Sequence, residues 1–343
     1  MRFALVKKAL PILAFTAISL VGVPASASPY SSMVVFGDSL SDNGNNSAVL
    51  GNNSGQVVTG NSYIPSAGPY ATGVYSNGPV WASDVASSLG LTLAPSQLGG
   101  TDFAYGGATT GTPGGGPGGF PFSLVTQANQ YLASANNQAS PTALYVIAGG
   151  GNNARDALAA IAALPPGTNP GPTIAATAAA YAANIKNIVN ELNAAGAKHI
   201  VVWNTPNIGL APAVEAAGAQ ASGLGSLIAL SMNTALGLQL AGETDVSMFD
   251  IFGLGTQIAL DPAAFGFTNA TDACGAAPVG TDCSKYVYWD GIHPTAAGHL
   301  VIADAFLTIA SPVPELGTWA MMLLGFAGVG FMVYRQKSTL MAA

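Results

Sequence analysis

The sequence predicts an α/β fold built on a mainly parallel sheet that is covered by helices on both faces. Four short apolar runs have the length and composition of buried strands, and they cover residues 33–36, 143–148, 200–203 and 246–249. Long stretches rich in alanine and leucine, chiefly residues 174–195 and 221–240, predict helices between them. Strands that alternate with helices favour a parallel sheet, because each helix carries the chain back across one face.

The composition limits the class of protein. The 343 residues allow one large domain or two small ones. Charged residues make up 7% of the chain, against roughly 25% in an ordinary globular protein. The net charge is −7 and the few basic residues form no patch, which argues against nucleic acid as a partner. Half of the residues are apolar, which argues against a disordered chain.

The first predicted strand leads directly into a polar turn that carries a serine. Residues 33–36 are followed by Gly37, Asp38 and Ser39. A serine placed after a strand and beside a glycine can present its hydroxyl to a substrate and a base together, as a nucleophile must. Ser39 is therefore the candidate nucleophile, although these residues alone also suit a plain polar turn.

A candidate base lies near the other end of the chain, which has three histidines. His293 follows Asp290 by three residues, and in a tight turn the carboxylate could reach one ring nitrogen and leave the other as general base. The turn leads into a helix predicted over residues 296–309. His199 opens the third strand and His299 lies within that helix pattern, and neither has a carboxylate beside it.

Four short segments, in this order, resemble the sequence blocks of the GDSL family of lipases and esterases, also called SGNH hydrolases. They are the turn around Ser39, residues 103–109, residues 150–153 and residues 289–295. The resemblance implies a three-layer α/β/α sandwich with a mainly parallel, flavodoxin-like sheet. Active sites of such folds gather at the carboxyl ends of the strands, which is where Ser39 falls.

The resemblance also implies a catalytic role for three side chains. Ser39 would be the nucleophile, His293 the general base, and Asp290 the residue that fixes the tautomer of the imidazole. This chemistry requires neither a metal nor an organic cofactor, so none is expected.

The two glycine-rich blocks supply the oxyanion hole that the resemblance implies. Its donors would be the backbone N–H groups of Ser39 and Gly107 and the side chain of Asn152, with Gly106 as the alternative to Gly107. Asn153 stands where the family has an aspartate. This departure leaves Asn153 as the alternative to Asn152.

The first 27 residues have the pattern of a secretory signal peptide. Basic residues near the start precede an apolar run over residues 9–23, and small residues form a cleavage site that ends at Ala27. A membrane anchor is the alternative. Because exported proteins fold where disulfides persist, Cys274 and Cys283 are expected to pair, with free thiols or a metal site as alternatives.

Residues 312–337 have the pattern of a second targeting signal. A Val313-Pro314-Glu315-Leu316 motif precedes an uncharged run, and basic residues follow it. As a helix, residues 316–334 would span roughly 28 Å, close to the ~30 Å thickness of the hydrocarbon layer. The arrangement resembles the PEP-CTERM sorting signal of Gram-negative bacteria, with leucine in place of the second proline. A plain single-span anchor is the alternative.

These predictions combine into an exported serine ester hydrolase whose catalytic domain covers residues 28–311. The expected partners are an ester substrate (a lipid, an acetylated polysaccharide or a small ester), the export and C-terminal sorting machinery, and the membrane through the C-terminal helix before any processing. The expected location is the cell surface or the extracellular space of a Gram-negative bacterium. The alternatives are an acyltransferase that uses the same acyl-enzyme, and a non-catalytic surface or matrix protein on the same fold.

Overall fold

The computed structural model describes residues 28–51, 73–310 and 322–331. Its main sheet has four parallel strands in the order β1-β2-β3-β4, which are β1 (Met33–Gly37), β2 (Leu144–Ala148), β3 (His199–Trp203) and β4 (Val246–Phe249). In the register of the sheet, Val35 pairs with Val146, which pairs in turn with Val201. Every residue of β1 and β2 is buried, which explains why both appear in the sequence as unbroken apolar runs.

Nine α-helices connect and flank these strands within residues 28–51 and 73–310. They are α1 (Asn45–Leu50), α2 (Trp81–Ser88), α3 (Leu124–Ser134), α4 (Gly151–Ala162), α5 (Gly171–Ala195), α6 (Pro212–Glu215), α7 (Ala219–Gln239), α8 (Ile251–Leu260) and α9 (Ala296–Ala310). A separate two-stranded parallel sheet is formed by β5 (Asn269–Ala273) and β6 (Tyr286–Tyr288). The helices predicted over residues 174–195, 221–240 and 296–309 correspond to α5, α7 and α9.

Residues 101–105 extend the main sheet along the free edge of β1. The N–H of Val35 donates to the Thr101 carbonyl at 3.1 Å, and the N–H groups of Phe103 and Tyr105 donate to carbonyls of β1 at 2.8 and 3.2 Å. With this segment counted as a strand, the spatial order becomes 2-1-3-4-5, the order of flavodoxin-like folds. The segment therefore delivers residues 106 and 107 to the edge of the sheet at which β1 ends.

Side chains that alternate along the strands pack into two apolar cores. Val34 and Tyr145 belong to the core shared with α3, α5 and α7, whereas Val35 and Val146 belong to the core shared with α2 and α9. The sheet is thus the middle layer between two layers of helices. The prediction of a three-layer α/β/α sandwich with a parallel sheet is confirmed.

The two predicted targeting signals lie mostly outside the described residues. The signal peptide, residues 1–27, lies wholly outside them. Of the tail, residues 322–331 are described, and Met322–Phe331 is an apolar helix. Within the described ranges, α7 is the one helix with the length and apolar composition of a membrane span. It packs on α5 through buried side chains such as Ile228 and Met232, so it belongs to the domain.

Candidate active site

Ser39 lies in a tight turn at the C-terminal end of β1. The Asp38 carbonyl accepts hydrogen bonds from the N–H groups three and four residues further on, both at 3.0 Å, so the chain makes one helical turn directly after the strand. Gly37 is required at the start of this turn, because a Cβ there would lie 2.8 Å from the carbonyl oxygen of Ala148 in β2. The turn holds the Ser39 hydroxyl at the C-terminal edge of the sheet.

The structure brings Ser39, His293 and Asp290 into one hydrogen-bonded chain. His293 Nε2 lies 2.7 Å from Ser39 Oγ, and His293 Nδ1 lies 2.7 Å from Asp290 Oδ2. With Nδ1 protonated and donating to the carboxylate, Nε2 accepts from the serine hydroxyl. All three residues are buried, and the low dielectric strengthens the interaction of the carboxylate with the imidazole.

Asp290 reaches the imidazole because it closes its own turn. Its Oδ1 accepts hydrogen bonds from the backbone N–H groups of Ile292 at 2.7 Å and His293 at 2.6 Å, while Oδ2 contacts the ring. Tyr75 packs against the imidazole with the ring centroids 5.2 Å apart. The Tyr75 hydroxyl accepts from the side-chain amide of Asn46 at 2.6 Å. The carboxylate and the aromatic ring together fix the orientation of His293.

Asn152 lies in the first turn of α4. Its Nδ2 donates to the Ala108 carbonyl at 2.8 Å, and its Oδ1 accepts from Nη1 of Arg155 at 3.0 Å. These contacts fix the plane of the amide and leave the second N–H of Nδ2 for a ligand. Asn153 is turned elsewhere, because its Oδ1 accepts from the backbone N–H of Thr110 at 3.0 Å. The geometry therefore favours Asn152 over Asn153 as the oxyanion donor.

The two candidate glycines differ in what their N–H groups contact. The Gly106 N–H donates to Asp42 Oδ2 at 2.9 Å, and the same carboxylate accepts from the N–H of Asn45 at 2.7 Å. Asp42 thus ties this segment to the turn that follows Ser39. Gly107 adopts a φ of 84°, and its N–H has no hydrogen-bond partner among the described residues. Of the two N–H groups, that of Gly107 is the available one.

Three buried carboxyl groups, those of Asp38, Asp42 and Asp102, lie in or beside the turn that carries Ser39. Burial raises the pKa of Asp38 and of Asp42 to about 6, and it raises the pKa of Asp102 well above its ordinary value. Hydrogen bonds from backbone N–H groups oppose the rise at each carboxyl. The positive charge of Arg155 and the imidazole of His293 also lower the pKa of Asp38. At the turn that carries Ser39, burial therefore disfavours the ionised form of these carboxyl groups.

The other two histidines have no place in the hydrogen-bonded chain. His199 begins β3 and is exposed. His299 is buried in α9, where burial first and repulsion from His293 second lower its pKa to about 3. Both of its ring nitrogens lack a hydrogen-bond partner among the described side chains. His299 is therefore a neutral histidine of the protein interior.

The predicted cysteine pair is a disulfide in the structure, and it joins Cys274 to Cys283. The N–H of Gly275 donates to the Trp289 carbonyl at 2.8 Å, so the bridge braces the segment that leads into Asp290. No group of three or more His, Cys, Asp or Glu side chains is arranged as metal ligands in the part of the chain that the structure describes.

Three residues of the site were not identified from the sequence, namely Asp42, Tyr75 and Arg155. Arg155 has a usable signal, since it follows Asn152 by three residues on one helix and is the one arginine between residues 28 and 311. Asp42 accepts from the nearby N–H of Asn45, but its contact with Gly106 arises only in the fold, as does the contact of Tyr75 with His293.

A partly enclosed, mainly apolar cavity of about 110 Å³ opens beside Ser39. Asn152 and Arg155 lie at its polar end, and the rest of its wall comes from the turn at 206–211, from β6 and from α8 and α9. An open groove shares Arg155 and Ile292 with this cavity and runs along α4 and α7. Ser39 lines the cavity and not the groove, and the two spaces meet at Arg155 and Ile292.

Comparisons with a family profile and with related proteins agree on one protein family. The sequence profile described as GDSL-like Lipase/Acylhydrolase matches residues 33–306. Esterase EstA of Pseudomonas aeruginosa is 28% identical over 356 residues, which cover 85% of this chain and 48% of the esterase. A GDSL esterase/lipase of Arabidopsis thaliana is 27% identical over 349 residues, with 86% of this chain and 95% of the plant protein covered.

The phosphatidylcholine-sterol acyltransferase of Aeromonas hydrophila is 27% identical over 322 residues, which cover 91% of this chain and 82% of the acyltransferase. The chain spans about half the length of the Pseudomonas relatives that it matches. The profile extends over most of the chain, from β1 into α9, and includes the segments that carry Ser39, Asn152, Asp290 and His293. The chain therefore belongs to the family of GDSL-like lipases and acylhydrolases.

Proposed function

We propose that the chain is an exported serine ester hydrolase that works through an acyl-enzyme. The observation that carries the proposal is the buried hydrogen-bonded chain from Asp290 through His293 to Ser39, with distances of 2.7 Å at both links. A nucleophile, a base in contact with it and a group that orients the base are the arrangement that serine hydrolysis requires.

The geometry suits a two-step reaction. Ser39 Oγ attacks the ester carbonyl while His293 Nε2 takes its proton, and the imidazolium then donates that proton to the leaving alcohol. Water attacks the acyl-enzyme in the same way and releases the acid. The N–H groups of Ser39 and Gly107 and the Nδ2 of Asn152 stabilise the oxyanion, and one such donor is worth ~3–4 kcal/mol.

The proposal is tested with the variant Ser39→Ala. The folded variant should hydrolyse no short-chain chromogenic ester, and an organophosphonate should label Ser39 of the wild type. Ser41 is the matched control, since it is buried in the same turn, where its Oγ accepts from Trp81 Nε1 at 3.1 Å. Ser41→Ala should remain active. Turnover by folded Ser39→Ala, or labelling of another serine, would remove the mechanism.

Acyl transfer is a second candidate. One relative is named as an acyltransferase and is covered over most of its length, and the acyl-enzyme is common to both reactions. Addition of an alcohol acceptor to the ester assay separates them, because a transferase forms a new ester at the expense of free acid. A folded wild type that neither turns over esters nor reacts with the phosphonate would instead be a non-catalytic surface or matrix protein.

We also propose that the protein is exported and sorted at the cell surface of a Gram-negative bacterium. Residues 1–27 would be removed as a signal peptide, residues 28–311 would form the catalytic domain, and residues 312–337 would be read by the sorting machinery or serve as an anchor. The disulfide and the apolar helix Met322–Phe331 support this proposal. A mature N-terminus at Ser28 and recovery of the protein in the cell-surface fraction would agree with it. An unprocessed chain in the cytoplasm would contradict it.

A further inference from the structure

The cavity beside Ser39 has an apolar wall built from two helices. On α8, the residues that line it are Ile251, Gly255, Ile258 and Ala259, whose spacing places them on one face of the helix. On α9, Ile302 and the glycine one turn before it line the opposite side. Most of its lining is apolar and Ser39 and Asn152 belong to it, so the cavity suits an apolar group attached to a polar one.

The cavity at Ser39 and the groove that adjoins it differ in the part of an ester that they can hold. The acyl group stays covalently bound to Ser39 between the two steps, whereas the alcohol must leave after the first. The cavity between α8 and α9 is the more enclosed of the two spaces, and the groove along α4 and α7 is open to solvent. The cavity therefore fits the acyl group, and the groove offers the alcohol its way out.

The volume of the cavity limits the length of the acyl chain. An apolar cavity of about 150 Å³ in another protein binds benzene, which has six carbon atoms. A volume of about 110 Å³ therefore corresponds to roughly four carbon atoms. We propose that this cavity is the acyl-binding pocket, that it takes straight acyl chains of about four carbons, and that the missing side chain of Gly255 leaves it this volume. The inference rests on the ester hydrolysis proposed above.

Gly255 is the position at which the cavity can be filled without disturbing the fold. A Cβ built on Gly255 meets no atom within 4 Å, and its place on α8 directs the side chain to the same face as Ile251 and Ala259. Gly298, the lining residue on α9, cannot serve, because a Cβ there would lie 2.7 Å from the Val287 carbonyl oxygen. Alanine or leucine also favours a helix more than glycine does.

The test measures kcat/KM of the full chain, purified in detergent, on p-nitrophenyl acetate, butyrate, hexanoate and octanoate. For the wild type we expect a rise of about 4-fold per methylene up to butyrate and no further rise at hexanoate or octanoate. Gly255→Leu places four carbons in the cavity. It should lower the butyrate-to-acetate ratio from about 15 to about 1, because butyrate loses more of its space than acetate does. Gly255→Ala should lower that ratio by about 4-fold.

Gly237→Leu is the matched control, since Gly237 is an exposed position of α7 at which a Cβ also meets nothing within 4 Å. It should leave the whole chain-length profile unchanged. An unchanged butyrate-to-acetate ratio in Gly255→Leu, or an equal loss on all four esters, would overturn the assignment of the pocket. Should Gly255→Leu fail to fold, the ratio in Gly255→Ala decides by the same criterion. A wild type that hydrolyses none of the esters and is not labelled at Ser39 would overturn the proposed function itself.

Discussion

At the scale of single residues, Asn152 and Arg155 form a pair in which one side chain sets the direction of the other. The guanidinium donates to Asn152 Oδ1 at 3.0 Å, so Nδ2 is held on the opposite side, where it donates to a backbone carbonyl and keeps one N–H free for the oxyanion. On the proposed mechanism, Arg155 is a positioning residue that acts on the reaction through the amide, and its positive charge also lowers the pKa of Asp38.

This pairing predicts a non-additive double variant. Asn152→Ala should lower kcat by about 10²–10³-fold, because it removes a donor used in the transition state. Arg155→Ala should lower kcat by about 10-fold and leave KM unchanged, since the amide keeps its place but loses its orientation. The double variant should be no slower than Asn152→Ala alone, which steady-state kinetics of the three variants checks.

Asn153 provides the control for this series. Its side chain accepts a hydrogen bond from the backbone of Thr110, outside the cavity that Asn152 lines. Asn153→Ala should therefore change kcat far less than Asn152→Ala and should act mainly on stability. The opposite ranking would move the oxyanion donor to Asn153, and additive losses for Asn152 and Arg155 would refute the positioning role.

Asp38 predicts a pH dependence of stability. Burial raises its pKa from 3.8 to about 6, so the folded chain binds this proton more tightly than the unfolded chain does. The stabilisation is complete below about pH 4 and is lost as the pH rises through 6. Asp38→Asn has no such proton, so the wild type should lose roughly 2 kcal/mol relative to this variant between pH 4.5 and 7.5.

Denaturant unfolding of both proteins at several pH values measures this difference. Comparing the two proteins removes the contribution of His299. Burial lowers the pKa of His299 to about 3, so its effect on stability has the opposite pH dependence to that of Asp38. That effect is the same in the wild type and in the variant. A difference in unfolding free energy that does not change with pH would show that Asp38 is ionised in the fold as readily as in the unfolded chain.

At the scale of elements, predictability followed apolar composition rather than burial. The four strands were recognised because the runs that form them are apolar, although β4 is mostly exposed. The segment at 101–105 was missed although it is largely buried, because it carries just two large apolar residues, Phe103 and Tyr105. Ser39, Asp290 and His293 stand in local patterns, whereas Tyr75 meets His293 only through the fold. The cavity between α8 and α9 is likewise a product of packing, and the sequence gives no local sign of it.

The disulfide predicts a loss of stability on reduction. Cys274 and Cys283 are separated by nine positions, and a bridge over so short a loop contributes roughly 2.5–3 kcal/mol on the chain-entropy model. A thiol reductant should lower the melting temperature of the wild type and leave that of the Cys274→Ala, Cys283→Ala variant unchanged. Because the bridge braces the strand that precedes Asp290, kcat should fall as well. A wild type whose melting temperature ignores the reductant would contradict this account.

At the scale of the whole molecule, the domain and the tail are predicted to be independent. The helix α9 ends at Ala310. The sequence beyond it contains Pro312 and Pro314, residues that disfavour a continuous helix. On the helix Met322–Phe331, large side chains such as Leu323 and Phe326 are exposed, as expected of a segment that suits lipid.

Residues 28–311 alone should therefore be soluble and as active as the detergent-extracted chain that retains the tail. Ester hydrolysis and the melting temperature, measured on both, check the prediction. An insoluble or inactive product would show that the tail packs into the domain, and both the sorting-signal and the anchor interpretations would fail with it.

The nucleophile and its base are 254 positions apart in the chain. Ser39 follows the first strand and His293 lies three residues before the last helix of the domain. On the proposed mechanism, a chain that has been synthesised only as far as residue 292 holds a serine without a base. Hydrolysis would then begin only after nearly the whole domain has been made.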